Sequence, residues 1–493
     1  MYFISTGGGE RVTGAEAIVK GFAKDGGLFV PETFPQMGAE DFEAMLSMDY
    51  PERAAFILKK FLDEYDEEGL LAALREAYSQ FEGEDSAPLV RMDNGMYLLE
   101  LFHGPTCSYK DMSLTVLPYL LQKGCELLGV KENILLLTAT NGDTGKAALE
   151  SFRDVKGVKV MAVYPEDGCS KMQKLQLCTQ EGENLNVLAV RGSFDDCQNA
   201  VKKIFTSDKC QSAIAEKGLR LGTASSANFG RIALQICYFF SAYVDLVSSD
   251  QIAQGDKVNI CIPAGNFGNV IAAYYAKRMG LPIRRLHCAC NMNNALTDFL
   301  AKGEYNANKA FYKTTSPSMD VLVAGNLERL LFEVSGRNAQ ITAERMAKLQ
   351  EDGAYSVSKE ELAEIALTFD GGFADEDEVV ETVYDLFCDT GYTMDPHTGC
   401  AMKVADDWAY KNKKDTTCMV VVATANPYKF PQDVLYCVTG NDVRDSFKGV
   451  KRLHAATAMA VPKCLAALKD KPLRFKSSVG KDKLMEEILN FVK

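Results

Sequence analysis

The sequence of 493 residues lacks several features that would mark particular classes of protein. Basic residues are in the minority, with 54 Lys and Arg against 67 Asp and Glu and a formal net charge of −13. This balance argues against a nucleic-acid partner, because phosphate contacts need clustered Lys and Arg. No apolar run approaches the roughly 18–20 residues that span a bilayer, and the first residues show no basic stretch followed by an apolar core. We therefore expect a soluble, cytoplasmic protein with no membrane partner.

Features of metal and disulfide sites are also scarce. The four histidines (103, 287, 397 and 454) include no HExxH pair, and the 15 cysteines include no CxxC pair. We predict no metal site, and reduced thiols that serve mostly as small buried side chains. The hydrophobic fraction of 47% and the charged fraction of 25% are those of an ordinary globular protein.

The first 93 residues are predicted to be mostly helical. Apolar residues between Ala15 and Phe22 recur at helical spacing, and residues 70–81 carry another stripe of this kind. After this region two apolar segments, 89–92 and 96–102, flank Asp93-Asn94-Gly95 and predict a β-hairpin.

From there the pattern changes to short apolar strands that alternate with helical segments. The predicted strands are 134–139, 158–163, 186–190, 258–262 and 418–423. The first of them, 134–139, is a continuous apolar run, which is typical of a parallel strand that is buried on both faces. The alternation predicts an α/β fold with a mostly parallel sheet, and such sheets bind ligands beyond the carboxyl ends of their strands.

Three loops occupy such positions, at 140–145, 263–269 and 424–427. In the second loop, Gly265 and Gly268 stand between a strand and a helix, where backbone N–H groups can converge on an anion. The pattern is neither a Walker A motif nor GxGxxG, so a phosphate group is favoured over a dinucleotide. A tight turn without function stays open as the alternative.

Two charged residues near these loops are candidates for chemistry. Asp143 lies between Gly142 and Gly145, where an acid would repel a phosphate, so it is expected to accept a hydrogen bond from a hydroxyl, to bind a cation or to cap the helix. Lys110 follows Gly104-Pro105-Thr106 at the start of a helix. An ammonium group there meets the positive end of the helix dipole, which is unfavourable for a structural role and suits a lysine held as a Schiff base.

Together these motifs resemble the threonine synthase family, whose members are fold-type II enzymes that depend on pyridoxal phosphate (PLP). The blocks that carry the resemblance are HGPTCSYKD at 103–111, TNGDTG at 140–145, RGSFDDCQ at 191–198, SSANFGRI at 225–232, GNFGN at 265–269, SPSMDVLVAGNLERLLF at 316–332, DPHTG at 395–399 and TANPYKF at 424–430. The resemblance extends from the first residues to residue 432. Within it, Gly7, Asn141 and Ser225 depart from the residues that are usual in the family, and the last two lie near the expected substrate site.

The resemblance implies a fold and its division into domains. We expect an α/β fold-type II enzyme with two open, mostly parallel sheet lobes and an N-terminal helical region. Residues 1–93 would form the helical region, 94–125 and 225–440 the large PLP-binding domain, and 126–224 the smaller α/β domain. The Lys-rich residues 441–493 are expected to form a C-terminal tail, and the choice between a monomer and a homodimer stays open.

The resemblance also implies roles for the matching residues. Lys110 would hold PLP as a Schiff base and move protons during the reaction. The remaining cofactor contacts would come from Asp143 near the 3′-oxygen, Thr424 at the pyridine nitrogen, and Gly265, Asn266, Phe267, Gly268 and Asn269 around the phosphate. The substrate would be bound by Thr140, Asn141, Thr144, Asn228 and Arg231, the last two holding its phosphate.

The implied reaction converts O-phospho-L-homoserine and water to L-threonine and phosphate. Two alternatives remain at this point. A PLP-dependent phospho-lyase would act on a related amino phosphate and release phosphate without threonine. A non-catalytic PLP-carrying or interaction protein on the same fold is the other, and the joint presence of Lys110, the phosphate loop, Thr424 and Arg231 argues against it, because a scaffold needs none of them.

Overall fold

Strands and helices alternate along most of the chain in the computed structural model, which describes residues 1–92 and 95–492. The strands are β1 (Tyr2–Ser5), β2 (Arg11–Thr13), β3 (Phe29–Pro31), β4 (Leu89–Arg91), β5 (Tyr97–Glu100), β6 (Asn133–Ala139), β7 (Val158–Pro165), β8 (Leu185–Arg191), β9 (Leu219–Gly222), β10 (Val258–Pro263), β11 (Ile283–Cys290), β12 (Glu304–Asn306), β13 (Ala354–Ser356), β14 (Phe369–Phe373), β15 (Cys418–Ala423) and β16 (Ser478–Gly480).

The helices follow the same chain order. They are α1 (Gly14–Lys20), α2 (Ala39–Leu46), α3 (Tyr50–Lys59), α4 (Glu67–Tyr78), α5 (Asp111–Leu114), α6 (Leu117–Leu127), α7 (Asp143–Ser151), α8 (Lys171–Cys178), α9 (Phe194–Thr206), α10 (Asp208–Ala215), α11 (Phe229–Ser248), α12 (Gly268–Arg278), α13 (Ala295–Lys302), α14 (Leu327–Val334), α15 (Ala339–Asp352), α16 (Lys359–Thr368), α17 (Glu376–Thr390), α18 (Pro396–Lys411), α19 (Pro431–Thr439), α20 (Ser446–Thr457), α21 (Lys463–Ala466) and α22 (Leu484–Phe491). Short 3₁₀ segments include Pro317–Met319 and Pro427–Lys429.

The larger sheet has the strand order β14-β11-β10-β15-β5-β4. Its neighbouring strands are parallel except at the edge, where β4 pairs antiparallel with β5 in the register Leu89↔Leu99. These are the two strands of the hairpin that the sequence predicts, and its turn residues Asp93 and Asn94 lie outside the described residues. All six residues of β10 are buried, which explains why Asn259 is its one polar side chain.

The smaller sheet has the order β16-β8-β7-β6-β9 and is parallel throughout. Alternate residues of β6 serve two cores, because successive side chains in a strand point to opposite faces. Leu135 and Leu137 pack into a cluster with helices α9 and α22, and Ile134 and Leu136 pack into the main core. The α/β fold with mostly parallel sheets is thus confirmed.

The N-terminal region contains helices α1 to α4, as predicted, and also a three-stranded antiparallel sheet of order β2-β1-β3. These strands are three or four residues long, which is too short for a clear period-two pattern in the sequence. The region packs on α11: the rings of Phe3 and Phe61 lie 4.6 and 5.5 Å from that of Phe229.

The C-terminal residues differ from the tail that the sequence predicts for 441–493. Strand β16 pairs with β8 in the register Ser478↔Ala189 and so becomes an edge of the smaller sheet. The side chains of Leu484 and Ile488 on α22 are buried in the core under that sheet. Val492 continues this face at the same i, i+4 spacing, and Met485 and Leu489 pack against its edge. The Lys-rich composition of residues 441–493 hides this short helical face in the sequence.

This packing leads to a stability prediction. Replacing Ile488 with alanine is expected to lower the free energy of unfolding by about 2–5 kcal/mol, because it leaves a cavity beneath the smaller sheet. The matched control is Glu486→Ala on the exposed side of the same helix, which should change the stability by less than about 0.5 kcal/mol. Urea unfolding of both variants measures the difference, and equal small effects would contradict the docking of α22.

Within the described parts of the chain, no helix is long and apolar enough to cross a membrane.

The direction of the strands determines where the site lies. Strands β6, β10 and β15 end at the loops that begin with Thr140, Ala264 and Thr424, and their carboxyl ends therefore meet at the cleft between the two sheets.

Candidate active site

One cavity lies at these carboxyl ends. It brings together twelve of the thirteen residues that the sequence assigns to the site, which are Lys110, Thr140, Asn141, Asp143, Thr144, Arg231, Gly265, Asn266, Phe267, Gly268, Asn269 and Thr424. Further residues that line it are Ser225, Ser318 and His397. Asn228 does not line the cavity.

Lys110 is held by a tightly bonded loop. The buried Asp111 carboxylate accepts hydrogen bonds from the backbone N–H of Thr106 at 2.9 Å and from its hydroxyl at 2.5 Å. Burial raises the pKa of Asp111 to about 6, although these hydrogen bonds oppose the rise. Residue 104 must be glycine, because a Cβ there would lie 2.4 Å from that of Asp111. The loop also docks on β15, where Tyr109 N–H donates to the Thr424 carbonyl at 2.9 Å.

Lys110 is buried, with 11% of its side chain exposed, and it lines the cavity. Its Nζ lies 3.9 Å from Asp143 Oδ2 and 4.5 Å from the centre of the Tyr109 ring. The helix that follows, α5, is only four residues long. Its dipole is therefore small, and the charge at Lys110 is balanced chiefly by Asp143.

Asp143 is the first residue of α7 but does not cap it, since the N-cap is Gly142 and the first-turn N–H of Gly145 donates to Thr140 Oγ1. The carboxylate instead accepts hydrogen bonds from Gln173 Nε2 at 2.8 Å and Ser108 Oγ at 3.1 Å. Burial by itself would raise the pKa of Asp143, but the ammonium groups of Lys429 and Lys110 outweigh it and hold the pKa far below its usual range. Asp143 is therefore ionised and acts as an acceptor.

Lys429 is a member of this group that the sequence reasoning missed. Its Nζ lies 2.8 Å from Asp143 Oδ1 and donates to the Thr106 carbonyl at 3.0 Å, and its side chain is fully buried. Lys429 lies in the TANPYKF block at 424–430, which carries part of the resemblance to the family, but no role was predicted for this lysine. A lysine six residues after a strand gives no local sign that it points back into the protein.

The loop at 265–269 has the geometry of an anion site. Phe267 takes a left-handed conformation with φ of +61°, which turns the chain into α12. The backbone N–H groups of residues 265–270 donate to no acceptor in the described chain. Asn269 Nδ2 is also buried without a partner, while Asn269 Oδ1 accepts from the Tyr238 hydroxyl at 2.5 Å. These donors can all serve one phosphate group.

Asn266 holds this loop in place. Its Nδ2 donates to Ser226 Oγ at 3.2 Å, and its Oδ1 accepts from the Gly325 N–H at 2.6 Å. Asn326 Nδ2 donates to the Asn266 carbonyl at 2.9 Å. The side-chain atoms Nδ2 and Oδ1 of Asn266 and its backbone carbonyl are therefore all bonded within the protein. Its backbone N–H is left for a ligand.

Arg231 is a fully buried cation that faces the cavity. Its guanidinium donates to Ser113 Oγ at 3.2 Å and to the Ala224 carbonyl at 3.3 Å. No ion pair among residues 1–92 and 95–492 includes it. Burial lowers the pKa of Arg231, as expected for a guanidinium without a carboxylate partner. Such a group is suited to bind an anion.

Asn228 has a structural role at the start of α11. Its Oδ1 caps α11 by accepting from Gly230 N–H at 3.0 Å, and its Nδ2 donates to the carbonyls of Ile18 at 2.9 Å and Thr223 at 3.1 Å. All hydrogen-bonding groups of this amide are thus directed away from the cavity. Asn228 supports the start of the helix that carries Arg231.

The loop at 140–145 lines the opposite wall. Thr140 Oγ1 accepts from the N–H groups of Gly142 at 2.9 Å and Gly145 at 2.8 Å. Asn141 Nδ2 donates to the Pro317 carbonyl at 3.1 Å, and its Oδ1 is buried without a partner. Two of the departures from the family's usual residues, Asn141 and Ser225, line the cavity, and Gly7 does not.

The 317–319 segment is supported by a histidine. His397 Nε2 accepts from the Ser318 N–H at 3.1 Å, so Nδ1 carries the proton and donates to Asp395 Oδ1 at 2.6 Å. This arrangement agrees with a structural role for His397, which positions Ser318 at the cavity wall.

The residues present fit pyridoxal phosphate. The unpartnered donors around 265–270 suit its phosphate, and Lys110 suits its aldehyde. The Thr424 hydroxyl, which bonds to no described residue, can meet the ring nitrogen. The Asp143 carboxylate stands at Lys110 rather than in the phosphate loop, so it does not repel the phosphate.

Comparison with known families agrees with this chemistry. The model named "Pyridoxal-phosphate dependent enzyme" matches residues 82–424, so the fold and the site define an enzyme of this class. The models "Threonine synthase N terminus" and "Threonine synthase, C-terminal" match residues 2–78 and 398–488. The chain belongs to the threonine synthase family. The resemblance in the sequence and the dependence on PLP are thereby confirmed.

Individual relatives show the extent of the likeness. Threonine synthase of Pseudomonas aeruginosa is 34% identical over 436 residues, which cover 88% of this chain and 90% of that protein. Human threonine synthase-like 1 is 35% identical over 444 residues, 88% of this chain, and the matched region spans only 59% of the human protein. The crystal structure of PLP-bound threonine synthase from Brucella melitensis has a TM-score of 0.85 at 32% identity and covers 100% of both chains.

Proposed function

We propose that this protein converts O-phospho-L-homoserine and water to L-threonine and phosphate, in the cytoplasm. The observation that supports the proposal is one cavity that holds Lys110 together with two groups of donors suited to anions. One group is the backbone N–H donors of residues 265–270, and the other is Arg231, which has no carboxylate partner among the described residues. One would hold the cofactor phosphate and the other the substrate phosphate.

The protein's part in the chemistry falls mainly to Lys110. When bound, pyridoxal phosphate supplies an electron sink for charge that develops at the substrate carbons. Lys110 Nζ would carry the cofactor covalently at rest and, once released by the substrate amine, would take the proton from the substrate Cα. Thr424 would offer a hydroxyl to the ring nitrogen, and Asp143 would stand near the 3′-oxygen as an acceptor.

The remaining cavity residues would bind and orient the substrate. Arg231 would hold the substrate phosphate through its planar fork, and Asn228 would act only by supporting the start of α11. Thr140, Asn141 and Thr144 would contact the carboxylate side. The water that adds must be excluded until phosphate has left, so we expect the two sheets to close on the substrate.

The phospho-lyase remains the second candidate because Asn141 and Ser225 both line the cavity. Product stoichiometry separates the two. The purified protein, supplied with PLP and O-phospho-L-homoserine, is expected to release phosphate and threonine in equal amounts in the same tube. Phosphate without threonine would establish the lyase and make Asn141 and Ser225 the first residues to revert to the family's usual types. Release of neither product would contradict both.

A further inference from the structure

Lys429 is a buried cation next to this site, and the proposed reaction assigns it no role. It does not line the cavity, and yet its ammonium group ties three loops together. It is carried by the 3₁₀ segment that follows β15, it donates to the carbonyl of Thr106 in the loop before Lys110, and it pairs with Asp143 at the start of α7.

The two oxygens of Asp143 have different partners. Oδ1 is occupied by Lys429 at 2.8 Å and by Gln173 Nε2 at 2.8 Å. Oδ2 accepts from Ser108 and faces Lys110 at 3.9 Å. Lys429 therefore anchors one oxygen and leaves the other directed at the reactive amine.

The proposed reaction makes a second cation necessary. A lysine that carries the cofactor and exchanges protons with the substrate does not keep a constant charge. With Lys110 as its sole counter-ion, the buried Asp143 would lose its compensation in every cycle, and a buried carboxylate without a partner takes up a proton. Lys429, which makes no contact with the cavity, keeps its charge throughout.

We infer that Lys429 is a positioning residue that keeps Asp143 ionised and directed at Lys110 while the charge on Lys110 changes. This inference rests on the role proposed for Lys110. Because the role inferred for Lys429 is to keep Asp143 ionised, Lys429 has no such role once Asp143 is replaced. Substitutions at the two positions should therefore not be additive.

The test uses the thermal unfolding midpoint (Tm) of the full-length protein saturated with PLP, a measurement that is independent of the substrate. Lys429→Met is expected to lower the Tm by several degrees. The double variant Asp143→Asn/Lys429→Met is expected to regain most of this loss, because it removes the uncompensated carboxylate. Lys429→Arg, which keeps the charge, should lose less than Lys429→Met.

The dependence on pH gives a second readout. In the wild type, Asp143 has a lowered pKa, so it contributes stability that is fully present above the unfolded-state pKa and is lost progressively as the pH falls below about 5. In Lys429→Met its folded-state pKa rises above the unfolded value, so stability is lost as the pH increases. The Tm difference from the wild type should widen between about pH 5 and about pH 8. The titratable groups that face Asp143 are Lys110, Lys429 and Cys169, and burial raises the pKa of the Cys169 thiol far above this window.

The outcomes are distinct. Recovery of the Tm in the double variant supports the inference even if Lys429→Met alone does not fold. A double variant that is less stable than Lys429→Met, or a Tm difference that does not vary with pH, would overturn it and leave Lys429 as a space-filling residue. If the proposed reaction is observed, Lys429→Met should also lower kcat by about tenfold or more with little change in KM.

Discussion

Replacing Lys110 with alanine is expected to abolish turnover of O-phospho-L-homoserine, with a loss in kcat of at least about a thousandfold. The reason is that the proposed function gives one amine two purposes, the covalent attachment of the cofactor and the proton transfer at Cα. Its surroundings offer no replacement at the same place, since Lys429 is engaged with Asp143 and Thr106 outside the cavity.

A charged control separates chemistry from electrostatics. Lys110→Arg keeps a cation near Asp143, so its Tm should be close to that of the wild type, but a guanidinium cannot take the part of the amine. This variant should be as inactive as Lys110→Ala. Reduction of the PLP-loaded protein with borohydride, followed by peptide mass spectrometry, should mark residue 110 in the wild type alone. Appreciable turnover by Lys110→Arg would contradict the role proposed for the lysine, and a PLP adduct elsewhere would contradict its position.

The second large effect is expected at Arg231. Replacement with methionine should reduce kcat/KM by about 100- to 1000-fold, because a charge-assisted contact to the substrate phosphate is lost in a buried site. Arg231→Lys should recover only part of this loss, since an ammonium cannot reproduce the planar fork. Steady-state kinetics on the three proteins measures the difference.

The same residue should show little effect on stability. Arg231 is buried without a carboxylate partner among the described residues, so Arg231→Met is expected to leave the Tm unchanged or higher in the absence of anions. With PLP bound, inorganic phosphate should raise the Tm of the wild type and not that of the variant. If phosphate stabilises both equally, Arg231 does not hold the anion.

Arg53 is the matched contrast, because it is also buried but is paired with Asp245 at 2.5 Å and donates to Ser241 Oγ at 2.8 Å. Removal of the Arg53 guanidinium leaves the Asp245 carboxylate without a compensating positive charge. Arg53→Met should therefore lower the Tm and leave the KM for the substrate unchanged. Together the two variants distinguish an arginine that binds a ligand from one that holds the fold.

Some features of the site are local, and these could be predicted from the sequence. The glycines of the 265–269 loop lie between a strand and a helix, so the backbone donors they expose follow from a few neighbouring residues. The strand at 418–423 was predicted with its observed limits, because a run buried on both faces is apolar at every position. In each case the physical cause lies within one turn or one strand.

Other features depend on residues that are distant along the chain. Asn228 lies in the same motif as Arg231. Only the tertiary structure shows that the side-chain Nδ2 of Asn228 donates to the backbone carbonyls of Ile18 and Thr223. Leu484 and Ile488 form a short apolar face in a Lys-rich segment, and their burial depends on a sheet built from residues 133–222. The pattern of a single segment cannot indicate which surface it will cover.

By itself, the sequence of this protein determined the α/β class and the family, and it predicted Lys110 as the reactive lysine and residues 265–269 as the phosphate loop. Tertiary structure alone decided the charge arrangement around that lysine. Lys429 and Asp143 are 286 residues apart, as the numbering shows, and a 2.8 Å contact between them arises only when β6 and β15 end at the same cleft. Electrostatic interactions depend on distance in space and on burial, and neither quantity is encoded in the spacing of residues along the chain.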